Sequence, residues 1–274
     1  MKKVCFLGGG NMASAMLAGL RRAHPQVTCH VIEPFAEARA RLAESGAVLH
    51  ECAHRDAVAG ADAVVLAVKP QVLRDACAEL SVHLQCELIV SIAAGTTLAT
   101  ISSWLQPADS SAVYTRIVRT MPNTPALIGQ GITGVYAPSA LATADLETAM
   151  TLMRSCGEVL QVLDESMIDA VTAVSGSGPA YVFHWIESMI AAAEGVGFNA
   201  IDARRLVLST LKGATALAEN STESPSLLRE RVTSKGGTTA AALAVINERR
   251  VQQALIDAVA AARDRGRELG RGGG

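Results

Sequence analysis

Aromatic side chains make up only 3% of the 274 residues. A core of this size must then close with Ala, Val, Leu and Ile, which requires backbones to approach one another closely. Charge of one sign is equally scarce, since 24 Lys and Arg face 26 Asp and Glu for a net charge of -2. That balance leaves no basic footprint for nucleic acid or an anionic membrane and keeps small neutral or anionic ligands open. The six cysteines, at 5, 29, 52, 77, 86 and 156, form no C-x-x-C pair and do not cluster. They read as reduced, mostly buried thiols of a cytoplasmic protein. No apolar run reaches the roughly 18 residues that a membrane helix needs, because Asp62 and Lys69 bracket the best stretch, Ala63 to Val68. Met1-Lys2-Lys3 runs straight into a strand-like segment, so no signal peptide is expected. There is also no G-x-S-x-G elbow and no Cys beside a plausible His, which argues against covalent catalysis.

What is present begins at once. Val4 to Leu7 is a short apolar run that breaks into Gly8-Gly9-Gly10-Asn11-Met12-Ala13, after which Met12, Met16, Gly19 and Leu20 recur at helical spacing. Gly8, Gly10 and Ala13 fit the G-x-G-x-x-A form of a dinucleotide fingerprint, whose bare glycines let backbone N–H groups approach a pyrophosphate. A second strand, Val27 to Ile32, ends at Glu33, where a carboxylate suits the adenosine ribose hydroxyls and repels a 2′-phosphate. That feature alone favours NADH. Arg39 and Arg41 lie just beyond, within range of a 2′-phosphate, so a plain solvated turn at Glu33 stays open.

A helix is expected from about Ala36 to Glu44, then a short strand around Val48. The following His50-Glu51-Cys52-Ala53-His54 literally matches H-E-x-x-H, but that zinc pattern needs a long helix and a third ligand, so no metal is expected. Ala63 to Val68 and Leu88 to Ile92 are continuous apolar runs of the kind covered on both faces, stopping at Lys69-Pro70 and Ala93-Ala94-Gly95. Both ends fall at the carboxyl edge of a doubly wound sheet, where ligands bind. Val113 to Val118, Gly131 to Tyr136 and Val159 to Leu163 read as further strands. Between the first two, Met121-Pro122-Asn123-Thr124-Pro125 is a rigid loop whose only amide side chain is Asn123.

Strand-helix alternation ends near Asp164, so a dinucleotide-binding domain is placed at 1–164 and an all-α domain at 165–274. Ser175-Gly176-Ser177-Gly178-Pro179-Ala180-Tyr181 opens the helical half, with Pro179 in a first turn. Ala203, Leu206, Val207, Thr210, Leu211, Ala214 and Leu217 form one wide apolar face, and Val251, Leu255, Ala258, Val259 and Ala262 another. So thin a helical core predicts burial against a second copy, hence a homodimer or a higher oligomer of dimers. The tail Arg263 to Glu268, ending in Gly272-Gly273-Gly274, is expected to fray in solvent.

Within that half, Thr233-Ser234-Lys235-Gly236-Gly237-Thr238-Thr239 precedes the Ala-rich run from Ala240. Two glycines and a helix start make an anion cradle, with Lys235 adding charge and the hydroxyls adding donors. An ordinary capped helix start explains the same residues.

Taken end to end, the chain resembles the pyrroline-5-carboxylate reductase family. The resemblance rests on six motifs in order: Gly8-Gly9-Gly10-Asn11-Met12, Ala67-Val68-Lys69-Pro70, Ser91-Ile92-Ala93-Ala94-Gly95, Met121 to Pro125, Ser175 to Tyr181 and Ser234 to Thr239. It implies a Rossmann-like α/β domain followed by a helical dimerisation domain, and hydride transfer from NADPH or NADH to the C=N carbon of a cyclic imino acid, giving proline. It also implies that Leu7, Gly8, Gly9, Gly10, Asn11, Met12, Ala67, Val68, Lys69, Pro70, Ile92, Ala93 and Ala94 line the cofactor, with Glu33, His54 and Asn123 beside them. Ser234, Gly236, Gly237, Thr238 and Thr239 would hold the carboxylate and ring nitrogen, with Glu165 nearby and Thr239 on the nitrogen. Two departures stand out. Lys235 occupies a position where many members carry proline, and Glu33 stands where members preferring NADPH often have a small hydroxyl residue, which His54 or Arg55 would have to offset.

Two other readings share these features. A related hydroxy- or amino-acid dehydrogenase would need a catalytic lysine, for which Lys212 lacks a polar partner in sequence. A dinucleotide sensor would bind NAD(P)H without turnover.

Overall fold

The computed structural model describes residues 1–85, 87–106 and 113–272. They form two compact units, one of residues Met1–Pro179 with the chain from Ala261 onward, the other Ala180–Ala260.

The first unit runs β1 (Lys3–Leu7), α1 (Asn11–Ala23), β2 (Thr28–Ile32), α2 (Ala36–Arg41), β3 (Val48–His50), α3 (Arg55–Val58), β4 (Ala63–Leu66), α4 (Pro70–Ser81), β5 (Leu88–Ser91), α5 (Leu98–Trp104), β6 (Ile117–Met121), β7 (Gly131–Tyr136), α6 (Thr143–Arg154), β8 (Gly157–Gln161) and α7 (Met167–Val171). The eight strands make one sheet in the order β3-β2-β1-β4-β5-β6-β7-β8. Every pair is parallel except β6 with β7. Strand order reverses between β1 and β4, which opens a crevice at the carboxyl edge of the sheet.

Period-two alternation divides each strand between two cores. Val4 and Phe6 meet Met16 and Leu20 of α1 on one face, while Cys5 and Leu7 meet Leu73, Cys77 and Leu80 of α4 on the other. All of these are essentially buried. With so few rings, the layers close on small contacts: a Cβ on Gly19 would run into the Ser155 backbone.

The second unit contains α8 (Gly178–Gly195) from Ala180 onward, α9 (Ala200–Glu219), α10 (Pro225–Arg231), α11 (Thr238–Glu248) and the first half of α12 (Val251–Gly272). Pro179 lies in the first turn of α8, as expected, where its missing N–H costs nothing. Among the described residues of this unit, only Ala203 and Val207 are buried apolar side chains, while Ile201 is 81% exposed and Leu217 60%. Such helices cannot close a core by themselves.

Several sequence expectations shift. The helix from Ala36 ends at Arg41 and tightens into a 3₁₀ turn at Ala43–Ser45, closed by Gly46 at φ 75°. The strand expected from Val113 begins at Ile117, because β5 offers its first partner to Ile117 through Ile89. The last strand starts at Gly157 rather than Val159, where Gly157 faces Gly131 and neither tolerates a side chain. The compact units divide after Pro179, and α7 packs against β6 and β7. The C-terminal tail does not fray through Glu268. It continues as α12 to Gly272, and a Cβ on Gly270 would fall 2.7 Å from the Gly95 carbonyl oxygen. Gly273 and Gly274 lie outside the described residues, as does Cys86.

Candidate active site

Five strand ends build the dinucleotide side. Backbone hydrogen bonds tie them edge to edge: Gly8 N–H to Ile32 O (2.8 Å), Ala67 N–H to Leu7 O (2.8 Å), Ile92 N–H to Leu66 O (3.3 Å) and Glu33 N–H to His50 O (2.9 Å). Leu7 to Met12, Glu33, Ala67 to Pro70 and Ile92 to Ala94 therefore share the carboxyl edge of the sheet. Gly8 has φ +103°, and a Cβ there would lie 2.9 Å from both the Ala67 backbone and Val68 Cγ1. Only glycine fits. By contrast, Gly10 faces open space, and α1 starts behind it with no side-chain cap. The first-turn N–H groups are thus left for an anion, with the helix dipole aimed the same way. Ala13, fully buried, lets α1 press onto the sheet. This cradle fits a pyrophosphate.

Glu33 is 92% withdrawn from solvent, at 8% exposure. Its Oε2 accepts from Gly9 N–H (2.9 Å) and its Oε1 from Phe35 N–H (3.0 Å). Lys69 caps α4 and Pro70 begins it. Beyond β5, Ser91 Oγ accepts from Ala93 N–H (3.3 Å) and bends the chain into the small-sided Ala93-Ala94-Gly95 turn. Asn123, buried after β6, uses its Oδ1 to accept from Ile132 N–H (3.0 Å), so it fastens the β6–β7 connection.

His54 caps α3 and His50 ends β3, so the H-E-x-x-H match spans a strand-to-helix connection, not a helix. His30 Nδ1 lies 2.9 Å from His50 Nε2, and His54 Nε2 lies 2.8 Å from His50 Nδ1. The three imidazoles form a line through opposite nitrogens of His50 and cannot converge on one ion. Burial, then Lys3, His50 and His54, push His30 down to about 4, and burial, His54 and Lys3 lower His50 as well. Neutral rings suit the line, because each contact needs one donor and one acceptor.

Burial pushes the thiols of Cys5 and Cys77 up to about 12 and that of Cys29 to about 11. None of these three is a thiolate nucleophile near neutral pH.

The substrate-side candidates lie elsewhere in the chain. Ser234, Lys235 and Gly236 form a turn with Gly236 at φ +73°, and α11 begins at Thr238 with Gly237 as its cap. A Cβ on Gly237 would collide with Ser234 Oγ. Since Gly237 has no side chain and no other side chain caps α11, the plain capped-helix reading fails here. The first-turn N–H groups stay available, beside the half-buried Thr239 and the exposed Thr238, Ser234 and Lys235. Glu165 has its described partners closer in sequence to the sheet. It falls in the first unit, where its Oε1 accepts from Leu98 N–H (2.7 Å) and pairs with Arg119 (3.3 Å).

Arg119 escaped the sequence reading. It is 2% exposed, pairs also with Asp169 (2.8 Å), and leaves its Nε without a partner. A signal existed: a lone arginine inside the apolar strand Ile117-Val118-Arg119, with Glu165 and Asp169 at helical spacing downstream. Its guanidinium joins β6 to α7 and, through Glu165, to the start of α5.

A doubly wound sheet with a glycine-lined anion cradle at its reversal point, followed by helices, defines a nicotinamide-dinucleotide oxidoreductase. Comparison with known proteins narrows the class. Residues 165–269 match the family model for pyrroline-5-carboxylate reductase dimerisation, and residues 3–95 match the one described as NADP oxidoreductase coenzyme F420-dependent. The pyrroline-5-carboxylate reductase of Pseudomonas aeruginosa is 42% identical over 97% of this chain and 96% of its own, and that of Haemophilus influenzae 39% over 98% and 97%. The chain belongs to the pyrroline-5-carboxylate reductase family. Solved structures agree: the Coxiella burnetii enzyme superposes with a TM-score of 0.86 at 35% identity, covering 97% of each chain. The Plasmodium falciparum enzyme with NADP bound gives 0.85 at 26%, covering 98% of each.

Proposed function

We propose that this protein reduces L-1-pyrroline-5-carboxylate to L-proline, the final step of proline synthesis, in the cytoplasm and as a homodimer or an oligomer of dimers. The observation that carries it is the uncapped start of α11 with hydroxyls around it, in a chain whose other unit holds a dinucleotide cradle. When bound, NAD(P)H supplies the hydride that converts the CH=N carbon to CH2–N.

The chain's own work is positioning and polarisation. The N–H groups of Thr238 and Thr239 hold the substrate carboxylate, helped by Ser234 Oγ and the dipole of α11, while Gly237 N–H closes the turn onto the Ser234 carbonyl (3.1 Å). Thr239 Oγ1 donates a hydrogen bond to the ring nitrogen, drawing electron density from the carbon that accepts the hydride. The nitrogen gains one proton as the carbon gains the hydride, so the imine becomes a secondary amine. Lys235 contributes a cation beside the carboxylate. Residues 1–164 serve the dinucleotide and 165–274 serve dimerisation and substrate. Arg119, Glu165 and Asn123 hold the β5, β6 and β7 ends in place, with Glu165 on the substrate side and Asn123 on the cofactor side of the proposed site. The unpaired helical faces around Ile201 and Leu217 suit a second copy, consistent with the dimerisation model that this half matches.

Purified protein given pyrroline-5-carboxylate oxidises NADPH or NADH and yields proline, and Thr239→Ala lowers kcat by about 10²-fold while NAD(P)H affinity stays nearly unchanged. No oxidation of either cofactor by the wild-type protein overturns the function. An unchanged kcat in Thr239→Ala overturns that residue's role alone.

A further inference from the structure

We infer that Glu33 is a specificity-determining residue and sets this enzyme to bind NADH in preference to NADPH, an inference that rests on the dinucleotide reading above. In a doubly wound sheet the adenosine ribose lies between the glycine turn after the first strand and the carboxyl end of the second. In this chain both places are occupied by one clasp. Glu33 stands at the end of β2 and accepts from Gly9 N–H on the glycine turn at 2.9 Å and from Phe35 N–H at 3.0 Å.

Each carboxylate oxygen has a further lone pair after these bonds, so the group can accept O–H donors from a ribose 2′- and 3′-diol. A 2′-phosphate brings only acceptors and a negative charge to the same spot. The carboxylate cannot swing aside without giving up two backbone N–H donors, and at 8% exposure it has little water to replace them. Leu42 closes a second side, where a Cβ on Gly9 would fall 2.6 Å from Leu42 Cδ1.

Arg39, held against the Glu33 backbone, does not rescue a phosphate. Arg39 Nη1 donates to the carbonyls of Glu33 and Pro34, each at 2.7 Å, and its Nη2 lies 3.6 Å from Glu51 Oε2. Turning that guanidinium to a phosphate would break both carbonyl bonds and leave Glu51 as a second repelling carboxylate. The repulsive element against NADPH is therefore built in as firmly as the attraction for NADH.

The test is equilibrium binding to the full-length protein without substrate, followed by nicotinamide fluorescence, with NADH and NADPH as ligands and 2′,5′-ADP as competitor. The wild-type Kd for NADH is expected to be lower than that for NADPH by about 10-fold or more, with 2′,5′-ADP displacing NADH poorly. Glu33→Ser is expected to move the Kd ratio toward NADPH by about 10-fold and make 2′,5′-ADP an effective competitor. Equal or tighter wild-type binding of NADPH overturns the inference, as does an unchanged ratio in a Glu33→Ser protein with wild-type circular dichroism. If that variant does not fold, the wild-type ratio and the 2′,5′-ADP competition decide. Binding of neither dinucleotide overturns the proposed function instead.

Discussion

At the scale of single residues, the informative groups are polar side chains that the fold has taken out of water. Glu33, Asn123 and Arg119 are each buried and each hold backbone or carboxylate partners, which makes Asn123 and Arg119 positional and holds the Glu33 carboxylate fixed for a ligand. The His30, His50 and His54 line differs, because it is tied together by contacts that protonation breaks. The groups facing it are Lys3 and, opposing, Asp56. With His30 at about 4 in the folded protein against 6.5 for an ordinary histidine, the unfolded chain binds the extra proton between those values. Stability should then be flat above about pH 6.5 and fall as pH drops toward 4. Urea midpoints at a series of pH values should show this slope in the wild type and a shallower one in His30→Gln, the shared carboxylate titrations cancelling in the difference. Equal slopes would show that the line contributes nothing.

At the scale of elements, glycine positions govern how the strand ends meet. Gly8 was legible from sequence because G-x-G-x-x-A between an apolar run and a helical repeat has a mechanism, and its φ of +103° bears that out. Likewise the ends of β4 and β5 followed from apolar runs stopping at Lys69-Pro70 and Ala93-Ala94. The start of β6 did not, since Val113 to Arg116 is as strand-like as Ile117 to Met121 and only the register with β5 separates them. The cradle at Ser234 to Thr239 was legible as a helix start, but whether it was capped depended on which residue became the cap. The tail differs for a related reason: Gly270 looks like a weak helix former, whereas it lets α12 approach the Gly95 turn. Gly270→Ala should lower stability by about 1–3 kcal/mol and weaken NAD(P)H binding, as a new methyl meets the Gly95 carbonyl oxygen. Gly266→Ala, whose added Cβ meets nothing within 4 Å, should be neutral or stabilising. Thermal melts of the two variants separate these outcomes, and equal losses would contradict the packing account.

At the scale of the whole molecule, a chain with 3% aromatic residues uses small side chains twice. In the α/β unit they let helices lie close to the sheet and leave a shallow, backbone-lined cradle. In the helical unit they leave broad apolar faces that its own helices do not cover. Among the described residues no helix is long and apolar enough to cross a membrane, so those faces are not membrane spans. The proposed chemistry asks the protein to hold a small imino acid and polarise its nitrogen. The most direct measurement of that claim follows the transferred atom. With pyrroline-5-carboxylate and NAD(P)D deuterated at the transferring position, the account predicts proline carrying one deuterium on the ring carbon that was doubly bonded to nitrogen, read by mass spectrometry and NMR. Proline formed without deuterium at that carbon, or cofactor oxidised without proline, would contradict it.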